Sequence, residues 1–120
     1  TVNMTGILVS WILSALAIIL TANFVPGFQV VNFTTALIVA FVLGIINAFV
    51  KPILMILTLP INMMTFGLFT FVINAVLILL AARLVNGFTV EGFLPALLAA
   101  VILWLVNTVI HFAIFPVKAS

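Results

Sequence analysis

The sequence predicts an all-α integral membrane protein with four transmembrane helices, built as a tandem two-helix repeat with a 60-residue offset. Three observations support this fold class: an apolar composition, four long apolar stretches separated by turn residues, and a match between the two halves of the chain. We expect residues 1–120 to form a single membrane domain, with 1–60 as the first two-helix half and 61–120 as the second.

The composition requires lipid as the main solvent of the folded chain. Of the 120 residues, 68% are hydrophobic and 3% are charged, and the mean hydropathy is +1.68. A soluble domain carries about 25% charged residues. One acidic residue, one histidine and no cysteine are too few for most catalytic or metal sites, and the three cations are too scattered for a nucleic-acid surface. We therefore expect neither an enzyme, nor a cofactor, nor a nucleic-acid partner.

The internal repeat is clearest where Val25–Val30 aligns with Val85–Val90, because both segments contain Gly-Phe-x-Val. The same offset joins Phe33 to Phe93, Ala36 to Ala96, Ala40 to Ala100 and Asn47 to Asn107. The shared composition of membrane helices explains matched alanines, but not a recurring turn motif and asparagine. Because each half has two spans, both halves have the same orientation in the membrane. We therefore expect the halves to be related by an axis along the membrane normal, and both chain ends to lie on one side.

The first half contains two spans. Span one is Thr5–Asn23 and span two is Thr34–Val50. A Pro26-Gly27 type II turn ends span one, and Asn32 or Thr34 can cap span two. The Lys51-Pro52 pair leaves two alternatives for the apolar run that follows it. Either span two continues as a kinked helix to Thr58, which we favour, or Ile53–Leu59 lies separately in the membrane interface.

The second half also contains two spans. Span three is Asn62–Leu84 and span four is Leu94–Phe112. Pro95 falls in the first turn of span four, where the missing N–H is tolerated. Asn86-Gly87 is a turn dipeptide that stands where the first half has Pro-Gly, and we expect this exchange to keep the turn but change its type.

The two equivalent loops are expected at the membrane boundary, and their main residues are Pro26, Gly27, Phe28, Asn86, Gly87 and Phe88. Segments Phe28–Phe33 and Phe88–Phe93 alternate weakly between apolar and polar residues. Each is compatible with a short extended piece, and the two pieces would then pair edge to edge. We favour the simpler interpretation of interfacial loops with aromatic anchors.

Helix association in lipid depends on close packing and hydrogen bonds. Small residues recur at every fourth position of span two, at Ala36, Ala40, Gly44 and Ala48, and predict a helix-packing row. Trp104 replaces Gly44 in the second half, so we expect asymmetric packing. Interhelical hydrogen bonds are predicted for Ser14, Asn47, Asn74 and Asn107, with Asn47 and Asn107 placed to meet across the repeat axis. A polar path for solutes would require more polar residues than these.

Interfacial charge is predicted at Lys51, Arg83, Glu91 and His111. Arg83 and Glu91 flank the second glycine loop and can pair there. Lys51 and His111 occupy equivalent positions and can snorkel to headgroups. Lys51 and Lys118 lie on the side of the chain ends and Arg83 on the other, which favours termini in the cytoplasm.

Several ordered motifs resemble a known family over nearly the whole chain. They are Val25–Phe28, Ala36-Leu37, Leu43–Ala48, Lys51–Leu54, Leu57–Pro60, Thr65–Phe69 and Val72–Ala75. This set is similar to phage holin family 4, superfamily IV, a family of small bacterial membrane proteins. The resemblance implies a holin-like protein of the bacterial inner membrane that oligomerises and opens lesions, and it brings no catalytic residues. The expected partners are the lipid bilayer and either further copies of the chain or a larger membrane complex. As part of a larger complex, the chain would be a non-enzymatic accessory or scaffold subunit. A channel for small solutes is a third, less favoured alternative.

Overall fold

The computed structural model describes residues 4–114, without the side chains of residues 111, 113 and 114. The helices are α1 (Met4–Phe24), α2 (Phe33–Leu57), α3 (Leu59–Met64), α4 (Phe69–Leu84) and α5 (Phe93–Ile114), and the strands are β1 (Phe28–Val30) and β2 (Phe88–Val90). Helices α1, α2 and α5 are long and apolar enough to cross a membrane, and α4 is a shorter apolar helix. The predicted helical class is confirmed.

The four long helices form a ring. Helix α1 contacts α2 and α5, and α4 contacts the same two helices. In the described part of the chain, the diagonal pairs α1–α4 and α2–α5 have no Cα atoms within 8 Å of one another. We call the end of the bundle that carries β1 and β2 the loop end, and the opposite end, where α1 begins and α5 ends, the terminal end.

The core of the bundle lies in its loop-end half. Most of its buried side chains fall at positions 60 residues apart, as in Ala15 and Ala75, Ile18 and Ile78, Val25 and Val85, Ala36 and Ala96, and Ala40 and Ala100. Towards the terminal end, α1 has no buried residue before Ala15, and the described side chains of α5 include none after Ala100. The bundle is therefore packed at the loop end, whereas beyond this core α1 and α5 lie open and the buried residues are Ile46, Asn62 and Ile73 of α2, α3 and α4.

Strands β1 and β2 pair with each other in antiparallel orientation, with Gln29 opposite Thr89 at the centre. The favoured interpretation of plain interfacial loops was therefore wrong, and the extended alternative is correct. Phe28 and Phe88 are 0% and 3% exposed and meet edge to face with ring centroids 5.1 Å apart, so they are core residues and not boundary anchors. Pairing prevails because backbone N–H and C=O groups near lipid need partners that lipid lacks.

Both glycine turns have the same geometry. The amide of Phe28 donates to the carbonyl of Val25 at 3.2 Å, and the equivalent bond between residues 88 and 85 is 3.4 Å long. Gly27 and Gly87 have φ of +86° and +91°, whereas Asn86 is not among the residues with positive φ. This is the type II pattern in both halves, so the expected change of turn type does not occur. Asparagine adopts the negative φ that proline would have imposed.

Helix α2 continues through Pro52 to Leu57, as favoured from the sequence. Its start is capped by Asn32, whose side-chain oxygen accepts a hydrogen bond from the Thr35 amide at 2.8 Å. This is one of the two predicted caps, and it satisfies an amide that has no partner within the helix.

The prediction of one continuous helix over Asn62–Leu84 was wrong. Helix α3 ends at Met64, and α4 begins after a turn in which Phe66 and Gly67 have φ of +56° and +87°. Left-handed residues of this kind end helices, and the Gly67 amide reaches back to the carbonyl of Asn62 at 2.8 Å. The Asn62 side chain is buried and donates to the Thr70 hydroxyl at 3.1 Å, which ties α3 to α4.

Candidate functional site

A cavity of about 490 Å³ lies between α1, α2, α4 and α5. This volume is within the range of small-molecule sites, about 300–1,000 Å³. Much of its lining comes in pairs 60 residues apart, namely Ser14 and Asn74, Ala17 and Leu77, Ile18 and Ile78, Ala40 and Ala100, Leu43 and Leu103, Gly44 and Trp104, and Asn47 and Asn107. The cavity is therefore central in the ring, and it begins where the loop-end core stops.

All four predicted interhelical polar residues face this cavity. Ser14 and Asn74 are half-buried, and Asn47 and Asn107 are exposed to it. Within the described part of the chain, none of these four side chains has a hydrogen-bond partner, so the predicted interhelical hydrogen bonds are not formed. Asn47 and Asn107 do not meet, because α2 and α5 lie diagonally across the ring. One polar side chain from each long helix is thus left free to bind something else.

The cavity changes character along its length. Its loop-end floor is apolar and consists of Ala17, Ile18, Ala40, Leu77, Ile78 and Ala100. Lys51 lines the terminal end, eleven residues or about 16 Å along α2 from Ala40. Among the described residues, Lys51 is the one charged group in the lining, and no ion pair joins it to a carboxylate. The terminal end of the cavity is therefore positive.

The predicted row of small residues is divided between two environments. Ala36 and Ala40 are buried, at 0% and 8% exposure. Gly44 opens on the cavity, and a Cβ atom built there would have no neighbour within 4 Å. Ala48 is exposed and is not part of the cavity lining. Within one chain, the row therefore gives no close helix crossing at Gly44.

The two tryptophans occupy different places in the two halves. Trp104 lines the cavity, is 52% exposed, and packs edge to face on Phe71 with ring centroids 5.7 Å apart. Trp11 donates from Nε1 to the carbonyl of Leu37 at 2.8 Å and so links α1 to α2. Sequence reasoning gave Trp11 no role, although an indole N–H inside an apolar span needs an acceptor and signals such a bond.

Gly27 and Gly87 lie where the two halves touch. A Cβ atom at Gly27 would be 3.0 Å from Cγ of Pro95, and one at Gly87 would be 3.2 Å from Cγ2 of Val31. Pro26 and Asn86 are exposed beside them. The two glycines therefore permit each turn to approach the other half closely.

The predicted pair of charges at the loop end is not formed. Arg83 and Glu91 are both exposed, and no ion pair joins them in the described part of the chain. The side chain of His111 lies outside the described residues, as does Lys118.

Comparison with known proteins adds a family and two relatives. The family described as mycobacterial 4 TMS phage holin, superfamily IV, matches residues 5–109. An uncharacterized membrane protein of Bacillus subtilis, YvlD, is 38% identical over 96 residues, which are 79% of this chain and 81% of that protein. An uncharacterized protein of Streptomyces coelicolor, SCO3922, is 43% identical over 77 residues, which are 61% of this chain and 62% of that protein. No solved structure matches.

Proposed function

We propose, on the premise that this chain belongs to the superfamily IV phage holins with four transmembrane segments, that it is a holin-like protein which self-associates in the bacterial inner membrane and permeabilises it. The observation that carries the proposal is the cavity, to which each long helix contributes a polar side chain without a partner. The family is a non-enzymatic kind of membrane protein, and we propose no catalytic activity or cofactor for this chain.

Permeation requires polar groups along a path that water can enter. The sequence alone offers few such groups, but the fold gathers Ser14, Asn47, Lys51, Asn74 and Asn107 in one cavity, which supports the proposal. An amide side chain without a partner is costly in hydrocarbon, so Asn47 and Asn107 favour a wet cavity over a dry one. The path through one copy stops at the packed core around Phe28 and Phe88. A single copy is therefore closed at the loop end, and we propose that assembly of several copies opens the route.

We propose that all four long helices span the bilayer, with the termini in the cytoplasm. Helix α4 has 16 residues, about 24 Å, against a hydrocarbon thickness of about 30 Å. Such a short span is accommodated by local thinning of the bilayer. The orientation is supported by two basic residues on the side of the chain ends, Lys51 and, from its place in the sequence, Lys118, against Arg83 on the loop-end side.

We further propose that the chain arose by duplication of a two-helix unit. Residues 14–45 and 74–105 have the same burial class at every position. The register of β1 and β2 is unchanged when the two halves are exchanged, because Phe28 faces Val90 and Val30 faces Phe88. Both facts support a two-fold axis along the membrane normal.

Ala48 is the contact that we propose for self-association. It is the small residue of the predicted row that is exposed and does not line the cavity. Phe41, Ile45 and Phe49 are exposed on the same helix. A small side chain among large ones lets the backbone of a neighbouring helix approach closely.

Ala48→Leu should therefore weaken assembly. In liposomes with a trapped dye, we expect leakage of the wild type to rise more steeply than linearly with the protein-to-lipid ratio. The variant should need a severalfold higher ratio for the same leakage, because the added side chain holds neighbouring helices apart. Crosslinking in the same liposomes should show fewer dimers.

Val76→Phe is the matched control, since it enlarges an exposed apolar residue on α4 that does not line the cavity. It should leave both leakage and crosslinking unchanged. Absence of leakage at every protein density would overturn the proposed function, and equal effects of the two substitutions would overturn the proposed contact.

A further inference from the structure

The terminal end of the cavity combines an unpaired cation with uncommitted amides. Lys51 and Asn47 lie four residues apart on α2, so both can face the same ligand. Asn107 enters the cavity from α5 on the opposite side of the ring. Glu91, the single acidic side chain of the sequence, is beside β2 at the loop end. The described lining therefore holds one positive charge, three asparagine amides (Asn47, Asn74 and Asn107) and no acid.

We infer that this end of the cavity is a binding site for a phosphate group, with Lys51 as its counter-charge and Asn47 and Asn107 as hydrogen-bond donors. A phosphate offers several strong acceptor oxygens, and its bonds to an ammonium are charge-assisted. The amide nitrogens of the asparagines supply neutral donors in addition to the three N–H groups of the Lys51 ammonium. A carboxylate ligand would leave more of these donors unused.

Two sources can present this phosphate: the headgroup of an anionic phospholipid, or free phosphate in solution. The apolar floor toward Ala40 and Ala100 gives space for part of an acyl chain, which favours the lipid. Lys51 lies toward the end of a long span, where lysine side chains reach headgroups. The site involves the cavity of the proposed function, but it does not require leakage, so a binding assay can succeed or fail independently.

The test is native mass spectrometry of the whole chain in neutral detergent, titrated with phosphatidylglycerol. We expect Lys51→Gln to weaken binding about tenfold, because the charge-assisted bond is lost. Lys51→Arg should retain most of the affinity, since it keeps the charge. Asn47→Leu combined with Asn107→Leu should also weaken binding, without any change in charge.

Arg83→Gln is the matched control, because it removes the same charge from the loop end and leaves the cavity lining intact. Diacylglycerol with the same acyl chains should bind much more weakly than phosphatidylglycerol. Displacement of the lipid by millimolar inorganic phosphate would identify free phosphate as a sufficient ligand, and no displacement would identify the lipid. Equal losses in Lys51→Gln and Arg83→Gln, or equal binding of diacylglycerol, would overturn the inference.

Discussion

Phe28→Ala is expected to destabilise the folded bundle by about 3 kcal/mol, at the lower end of the range for deleting a buried phenylalanine. Phe28 is 0% exposed and meets Phe88 edge to face, so its removal leaves a cavity and ends an aromatic contact. The surrounding strands are tied by backbone hydrogen bonds and have little freedom to collapse into the space. Unfolding in detergent micelles by titration with a denaturing detergent would measure the loss.

Phe24→Ala is the control for that substitution. Phe24 stands four residues earlier in the chain and is 66% exposed, so truncation there removes surface area without opening a cavity. We expect its effect on the free energy of unfolding to be below about 1 kcal/mol. Equal effects at the two positions would mean that the loop end has no packed core.

Gly27→Ala is expected to destabilise the bundle in two ways, through backbone strain and through a steric clash. Gly27 has φ of +86°, which costs a residue with a side chain about 1–3 kcal/mol. The new methyl group would also stand 3.0 Å from Cγ of Pro95, an atom of a ring that cannot turn away. We expect a clear fall in the midpoint of thermal unfolding in micelles, followed by circular dichroism.

Gly67→Ala separates the two mechanisms. Gly67 has nearly the same φ, +87°, but a Cβ atom there would have no neighbour within 4 Å. The Gly67→Ala variant should therefore show the effect of backbone strain alone. Its midpoint of thermal unfolding should fall less than that of Gly27→Ala. If the unfolding midpoint fell as far in Gly67→Ala as in Gly27→Ala, the close contact of Gly27 with Pro95 would contribute nothing to stability.

Local signals in the sequence predicted the helices well. Apolar length, the Pro26-Gly27 turn and the Asn32 cap depend on neighbouring residues, and all three are found in the structure. The pairing of β1 with β2 could not be read locally, since it joins segments 60 residues apart. The break after Met64 did carry a local signal, Gly67, but it stands inside an apolar run that hides the end of a helix.

The sequence singled out the polar residues of the cavity but gave them another role, since it predicted interhelical hydrogen bonds that their side chains do not form in the described part of the chain. A serine or asparagine inside an apolar span signals a group that needs a partner, and this signal identified Ser14, Asn47, Asn74 and Asn107. It did not specify which helices would be neighbours. The ring places α2 and α5 diagonally, so their asparagines face a shared space and not each other. The position of Lys51 at the end of that space likewise depends on the whole bundle.

The polar side chains of the spans face one cavity, and we expect water to enter it from the terminal end. The chain has no cysteine, so each introduced cysteine is the single site for a thiol reagent. In sealed vesicles treated from the terminal-end side with a water-soluble thiol reagent, Asn47→Cys and Asn107→Cys should react readily. Ile45→Cys and Leu105→Cys, at exposed apolar positions outside the cavity lining, should stay largely unlabelled. Equal labelling at all four positions, or protection of both asparagine sites, would show that the asparagines do not face a cavity open to water.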